Sequence, residues 1–90
     1  METKALNYRI IIEKEKKKKG SLYVAYVPTL GISDFGKTVE DATVNVTKAI
    51  KIYLETLLQL KKSIPTPDTE EYFVTSTKIE LHNLPKNYAF

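Results

Sequence analysis

Ninety residues with a net charge of +3 suffice for one small domain and are too few for two, because a chain this short buries only roughly 60–65% of its extended surface on folding. A composition of 42% hydrophobic and 28% charged residues excludes compositional disorder, and no apolar run approaches the ~18–20 residues of a membrane-spanning helix. Cysteine is absent, which removes disulfides, thiolate metal sites and cysteine nucleophiles; the start METKALNYRI lacks the pattern of a secretory leader, so the cytoplasm is the expected compartment.

From Leu6 to Lys14, alternation sets Leu6, Tyr8, Ile10 and Ile12 on one side of a strand and Asn7, Arg9, Ile11 and Glu13 on the other. The run Lys16, Lys17, Lys18 and Lys19 precedes Gly20 and reads as a solvated hairpin turn whose charges discourage edge-to-edge association. Its alternative use is as a phosphate-contacting tip. With Arg9 as the sole arginine, such nucleic-acid binding would be weak and salt-sensitive. A second strand, SLYVAYVP, is apolar on both sides: Leu22, Val24 and Tyr26 against Tyr23, Ala25 and Val27. Pro28 lacks the amide donor needed to continue a central ladder and marks its end. GISDFGK is a short third strand bracketed by Gly31 and Gly36.

Thr38 is placed to cap a helix, with Glu40 and Asp41 near its positive end. Val39, Ala42, Val46, Ala49, Ile50, Tyr53, Leu54, Leu57 and Leu60 recur at three- and four-residue spacing, which makes one apolar stripe. Pro65 and Pro67 stop the pattern, so the helix should finish near Lys62. Beyond them, Phe73, Thr75, Thr77, Ile79 and Leu81 alternate as in a fourth strand. The final HNLPKNYAF reads as a tail whose Leu84, Tyr88 and Phe90 could dock on the body. The expected architecture is α+β, an antiparallel β-β-β-α-β sheet with one long helix on one face, in a single domain over residues 1–82 with a tail over 83–90. One helix covers one face, so the other side of the two-sided second strand is left to meet another chain.

The chemistry-bearing residues are sparse. His82 stands alone, and Asp34, Glu40, Asp41 and Asp68 fall mostly at turns or the helix entrance, where local hydrogen bonding accounts for them. No catalytic, cofactor or metal site is assigned, and enzymatic activity is not expected. Gly31 to Thr38, GISDFGKT, spells the Walker A pattern, yet a meander with one helix lacks the parallel sheet that a P-loop requires. The structural turn is the preferred reading.

Tyr23-Val24-Ala25-Tyr26-Val27-Pro28, the Gly31 turn, Gly36 followed by Thr38, Glu40-Asp41-Ala42, Asn45, Ala49-Ile50, Tyr53-Leu54 and Ile64-Pro65-Thr66-Pro67 together resemble the HicB-like antitoxin family. The resemblance implies a partial ribonuclease H-like fold and an antitoxin-type binding protein that sterically neutralises a HicA-like RNA-cleaving toxin. Tyr23, Ala25, Val27 and Phe35 are the expected contact residues. Two features depart from the family: Leu30 stands where a proline usually precedes the first glycine, and Thr69 to Phe90 carry no helix-turn-helix or ribbon-helix-helix, so operator binding is not expected. A stand-alone homo-oligomer without a toxin, and a weak nucleic-acid binder using Lys16 to Lys19, are the alternatives.

Overall fold

A computed structural model describes residues 2–88. Three strands, β1 (Ile11–Lys16), β2 (Ser21–Val27) and β3 (Ile32–Gly36), are followed by one helix, α1 (Val39–Gln59). They form an antiparallel sheet in the order β1-β2-β3. Ile12 pairs with Ala25 and Glu13 with Val24 on one side of β2, while Tyr23 pairs with Gly36 and Val24 with Phe35 on the other. The four residues Lys17 to Gly20 close the first hairpin, all exposed, with Gly20 at φ 75°. The lysine run is therefore a solvated turn, with Lys16 as the last ladder residue of β1. The second turn is tied by Leu30 and Gly31 amides donating to the Val27 carbonyl at 3.2 and 2.8 Å, and Gly31 takes φ 69°, a left-handed conformation that favours glycine.

The helix entrance follows from its sequence. Thr38 is extended, and its Oγ1 accepts the Asp41 amide at 3.0 Å, satisfying one of the donors that a helix start leaves free. The other end closes with the Lys62 amide donating to the Leu57 carbonyl at 2.9 Å and the Lys61 amide to that of Leu58 at 3.0 Å. That is a Schellman loop, and Lys61 at φ 55° occupies the position usually given to glycine.

Tyr8, Ala25, Val27, Leu30, Ala42 and Val46 form the buried core, with Leu6, Ile10, Ile12, Tyr23, Ile50 and Tyr53 among the half-buried residues packed on it. The alternation expected for Leu6, Tyr8, Ile10 and Ile12 is thus realised, although the ladder itself starts only at Ile11. The helical stripe is seated through Ala42 and Val46, while Val39 and Leu60 at its ends are exposed. At Gly36 the strand meets the helix so closely that an added Cβ would lie 2.7 Å from the Asp41 Cβ and nearer still to the Ala42 amide nitrogen. This glycine serves close packing of β3 on α1.

One element of the expected β-β-β-α-β order is missing. Among the described residues no strand follows α1, and Phe73, Val74, Ile79 and Leu81 are exposed. After Asp68 the chain leaves the body, so the alternating segment has no neighbouring strand of its own chain to pair with. A radius of gyration of 18.0 Å, against about 12 Å for a compact chain of this length, reflects that departure. Phe90, expected with Leu84 and Tyr88 to dock from the tail, lies outside the described residues.

Candidate protein-binding face

The two sides of β2 are distinguished by what packs on them. Ala25 and Val27 are 0% exposed and lie in the cluster with Ala42 and Val46, beneath α1. Tyr23 shares that side and is half-buried, with the Lys14 Nζ 6.0 Å from its ring centroid. The expected contact set is corrected here: Ala25 and Val27 are core residues of this chain and offer no surface to a partner. Sequence alternation identified two apolar sides without telling which one the helix takes, because Tyr23/Ala25/Val27 and Leu22/Val24/Tyr26 are nearly equal in apolar character. The deciding signal was present at Gly36, which the register places on the side of Tyr23 and which alone admits the helix backbone.

Phe35, the fourth expected residue, lies on the outer side and is 59% exposed. The register aligns Glu13, Val24 and Phe35 across the sheet, and beside them Ile11, Tyr26 and Ser33. Ile11 and Tyr26 are exposed, and Val24 is half-buried. Ile11, Glu13, Glu15, Val24 and Tyr26 line a shallow hollow of about 260 Å³. The outer face is thus an apolar strip with two carboxylates along its β1 border. The second concavity, about 810 Å³, lies between the lysine turn and the helix entrance; Lys17, Lys19, Leu22, Phe35, Lys37 and Val44 contribute to its walls. Lys16 to Lys19 are exposed, and Lys17 and Lys19 approach that groove.

Asp68 fastens the chain leaving α1 to the start of the sheet. Its carboxylate accepts the Arg9 amide at 2.8 Å and the Thr29 hydroxyl at 2.6 Å, with the Arg9 guanidinium at 3.8 Å. The Arg9 amide, the Thr29 hydroxyl and the Arg9 charge hold the Asp68 carboxyl below its ordinary value. The Asp68 amide donates to the Asn7 carbonyl at 2.8 Å, and the Tyr8 hydroxyl to the Pro65 carbonyl at 2.6 Å. Burial first, and the Asp68 charge second, push the Tyr8 hydroxyl up, so it remains a donor. This junction is structural, and sequence reading, which treated Asp68 as a turn residue, missed it: its partners are 39 to 61 residues away.

The residues that could suggest catalysis are not assembled. Among the described residues no three histidine, cysteine or acidic side chains are grouped to hold a metal, and His82 is exposed. The Walker-like spelling runs through β3: Ile32 to Gly36 are paired with β2, so the stretch is a strand, where a phosphate cradle needs a loop. No described helix is long and apolar enough to cross a membrane.

With this arrangement in place, the sequence model described as "HicB_like antitoxin of bacterial toxin-antitoxin system" matches residues 8–82. The chain belongs to the HicB-like antitoxin family. It is similar to the UPF0150 protein Ta0767 of Thermoplasma acidophilum, 36% identical over 70 residues that make up 77% of this chain and 97% of that one. It is likewise similar to the UPF0150 protein ssr1765 of Synechocystis sp., 36% identical over 63 residues, 69% of this chain and 76% of that one. No solved structure matches. Among the residues by which the chain resembles HicB-like antitoxins, Ala25, Val27, Gly36 and Ala42 build the sheet–helix core, while Val24 and Tyr26 stand on the outer face.

Proposed function

We propose that this HicB-like chain neutralises a HicA-like RNA-cleaving toxin in the cytoplasm by laying the outer face of its sheet over the toxin's RNA-binding surface. The observation that carries the reading is the strip of Ile11, Val24, Tyr26 and Phe35 on the face opposite α1. Exposed aromatic residues supply contact area at low entropic cost. A toxin that binds RNA must carry cationic surface, and Glu13 and Glu15 along the same strip offer carboxylates to it. Inhibition is steric in this reading and asks no chemistry of the antitoxin.

The test is cleavage of RNA by a co-expressed HicA-like toxin, with and without this chain. The wild type should suppress cleavage, and Tyr26→Lys should raise the concentration needed for half-suppression at least ~10-fold, the loss typical of one central contact residue. Equal suppression by both chains would exclude the outer face. Neutralising Lys16 to Lys19 should leave suppression unchanged; a loss of both suppression and salt-sensitive RNA retention would favour the nucleic-acid reading instead. A second reading, a homo-oligomeric module acting without a toxin, is favoured by the unpaired segment after Asp68.

A further inference from the structure

The concavity between the lysine turn and the helix entrance follows from where two ladders end. β1 and β2 stay paired as far as Lys16 and Ser21, whereas β2 and β3 part after Tyr23 and Gly36, where the chain turns from the sheet into α1. Ser21 and Leu22 therefore have no paired residue on the β3 side, and both border the resulting notch of about 810 Å³. Leu22, Phe35 and Val44 supply its apolar walls, with Phe35 and Val44 exposed. Its cations come from two separate parts of the chain. Lys17 and Lys19 belong to the turn and Lys37 to the junction of β3 and α1, and all three are exposed.

Charge decides what such a notch takes. Among the described residues, three lysines and one carboxylate, Asp41, border it, whereas the hollow on the outer face is bordered by Glu13 and Glu15 and by no lysine. A cationic surface suited to the hollow is repelled by the notch, so the two take different ligands, and the notch takes an anion. The kind of cation narrows the anion. Ammonium groups act as point charges that suit phosphate, while planar recognition of carboxylates is the work of the arginine fork. The sole arginine, Arg9, is engaged with Asp68 and the Tyr72 ring. The exposed Phe35 ring adds a plane on which an unpaired base can stack, a contact closed to a duplex whose bases already stack on one another. Beside it, the Asn45 amide donates to the Phe35 carbonyl at 2.8 Å and is held there, so the notch reads phosphate charge and base plane, both common to RNA and DNA.

We infer that this notch binds a short single strand of nucleic acid, its phosphates against Lys17, Lys19 and Lys37 and one base on Phe35, without preference for sequence. Three ammonium contacts make the binding weak and salt-dependent. At roughly 0.7 per phosphate neutralised, the logarithm of the association constant should fall against the logarithm of salt with a slope of about −2. Of the outer strip of Ile11, Val24, Tyr26 and Phe35, only Phe35 also borders the notch, and the binding is a property of this chain alone, so it does not rest on the toxin reading.

The test is the fluorescence anisotropy of a labelled uridine oligomer of about 10 nucleotides, titrated with the full chain between about 50 and 200 mM salt. The wild type should bind saturably with the slope given. K17Q/K19Q/K37Q should weaken binding at the lowest salt at least ~10-fold and lose most of the slope. K51Q/K62Q/K78Q removes the same charge from exposed lysines outside the notch and should keep the slope. Phe35→Ala should weaken binding at least ~5-fold at every salt concentration with the slope retained, the loss of one stacked base. All of these side chains are exposed, so the helical circular dichroism of α1 should be the same in every variant. Absence of saturable binding by the wild type overturns the inference. So do equal losses in the two triple variants, which would make the effect one of net charge, and an unchanged affinity in Phe35→Ala. Displacement of the oligomer by an equal concentration of a polyglutamate peptide also overturns it, and would assign the notch to an acidic protein segment.

Discussion

At the scale of single residues, Asp68 and Gly36 do the most to position the rest. Asp68 has its carboxyl held below the ordinary value of 3.8 by the Arg9 amide, the Thr29 hydroxyl and the Arg9 charge. A depressed folded-state value means that the charged carboxylate is favoured by folding; its contribution is present above the unfolded value and is lost as pH falls through the folded one. Thermal melts of the wild type should therefore lose midpoint as pH falls through and below the ordinary carboxylate range, and Asp68→Asn should show a flatter dependence there. Parallel curves would mean that Asp68 takes no part in the acid transition. Gly36 makes a different prediction. A methyl there would collide with the backbone of Asp41 and Ala42, so Gly36→Ala should cost about 1–3 kcal/mol, the usual range for overpacking, read by denaturant titration. Neither role was legible without the register: Asp68 acts on residues 39 to 61 positions away, and Gly36 lies inside a nucleotide-like spelling until its pairing with Tyr23 sets it under the helix.

At the scale of elements, what was legible is what local chemistry determines. Period-two alternation located β2 and, set five residues too early at its start, β1; the bracketing glycines located β3, Thr38 located the helix start, and three-four spacing located the stripe that Ala42 and Val46 bury. The end of α1 was placed near Lys62 and falls at Gln59, because the Schellman loop spends Leu60 to Lys62 in turning the chain. That loop holds Lys61 in the left-handed region, where a side chain costs roughly 1–2 kcal/mol relative to glycine. Lys61→Gly should therefore raise the unfolding free energy by about 1 kcal/mol, and an unchanged midpoint would show that the loop relaxes at no cost. The fourth strand shows the limit of local reading. Its alternation specifies a strand, but pairing is a property of two segments, and among the described residues none pairs with it.

At the scale of the whole molecule, the unresolved choice in the sequence was which side of β2 faces the helix, and it determines which residues can bind anything. The structure puts Val27 and Ala25 inside and Tyr26, Ile11 and Phe35 outside, so mutations one position apart should separate folding from recognition. Val27→Ala deletes two methyl groups from a fully buried side chain and leaves a gap against Val46 and its neighbours. The loss should be about 2 kcal/mol, from roughly 0.8 kcal/mol per buried carbon plus a small cavity contribution. Tyr26→Lys should leave the unfolding free energy within about 0.5 kcal/mol of the wild type, as for an exposed position, while suppression of the toxin falls. Measuring stability and suppression on the same two variants gives four numbers with a definite pattern: Val27→Ala low in stability and normal in suppression per folded molecule, Tyr26→Lys the reverse. If Val27→Ala lost suppression at full stability, Val27 would have to reach the partner, and the face assignment of β2 would be inverted.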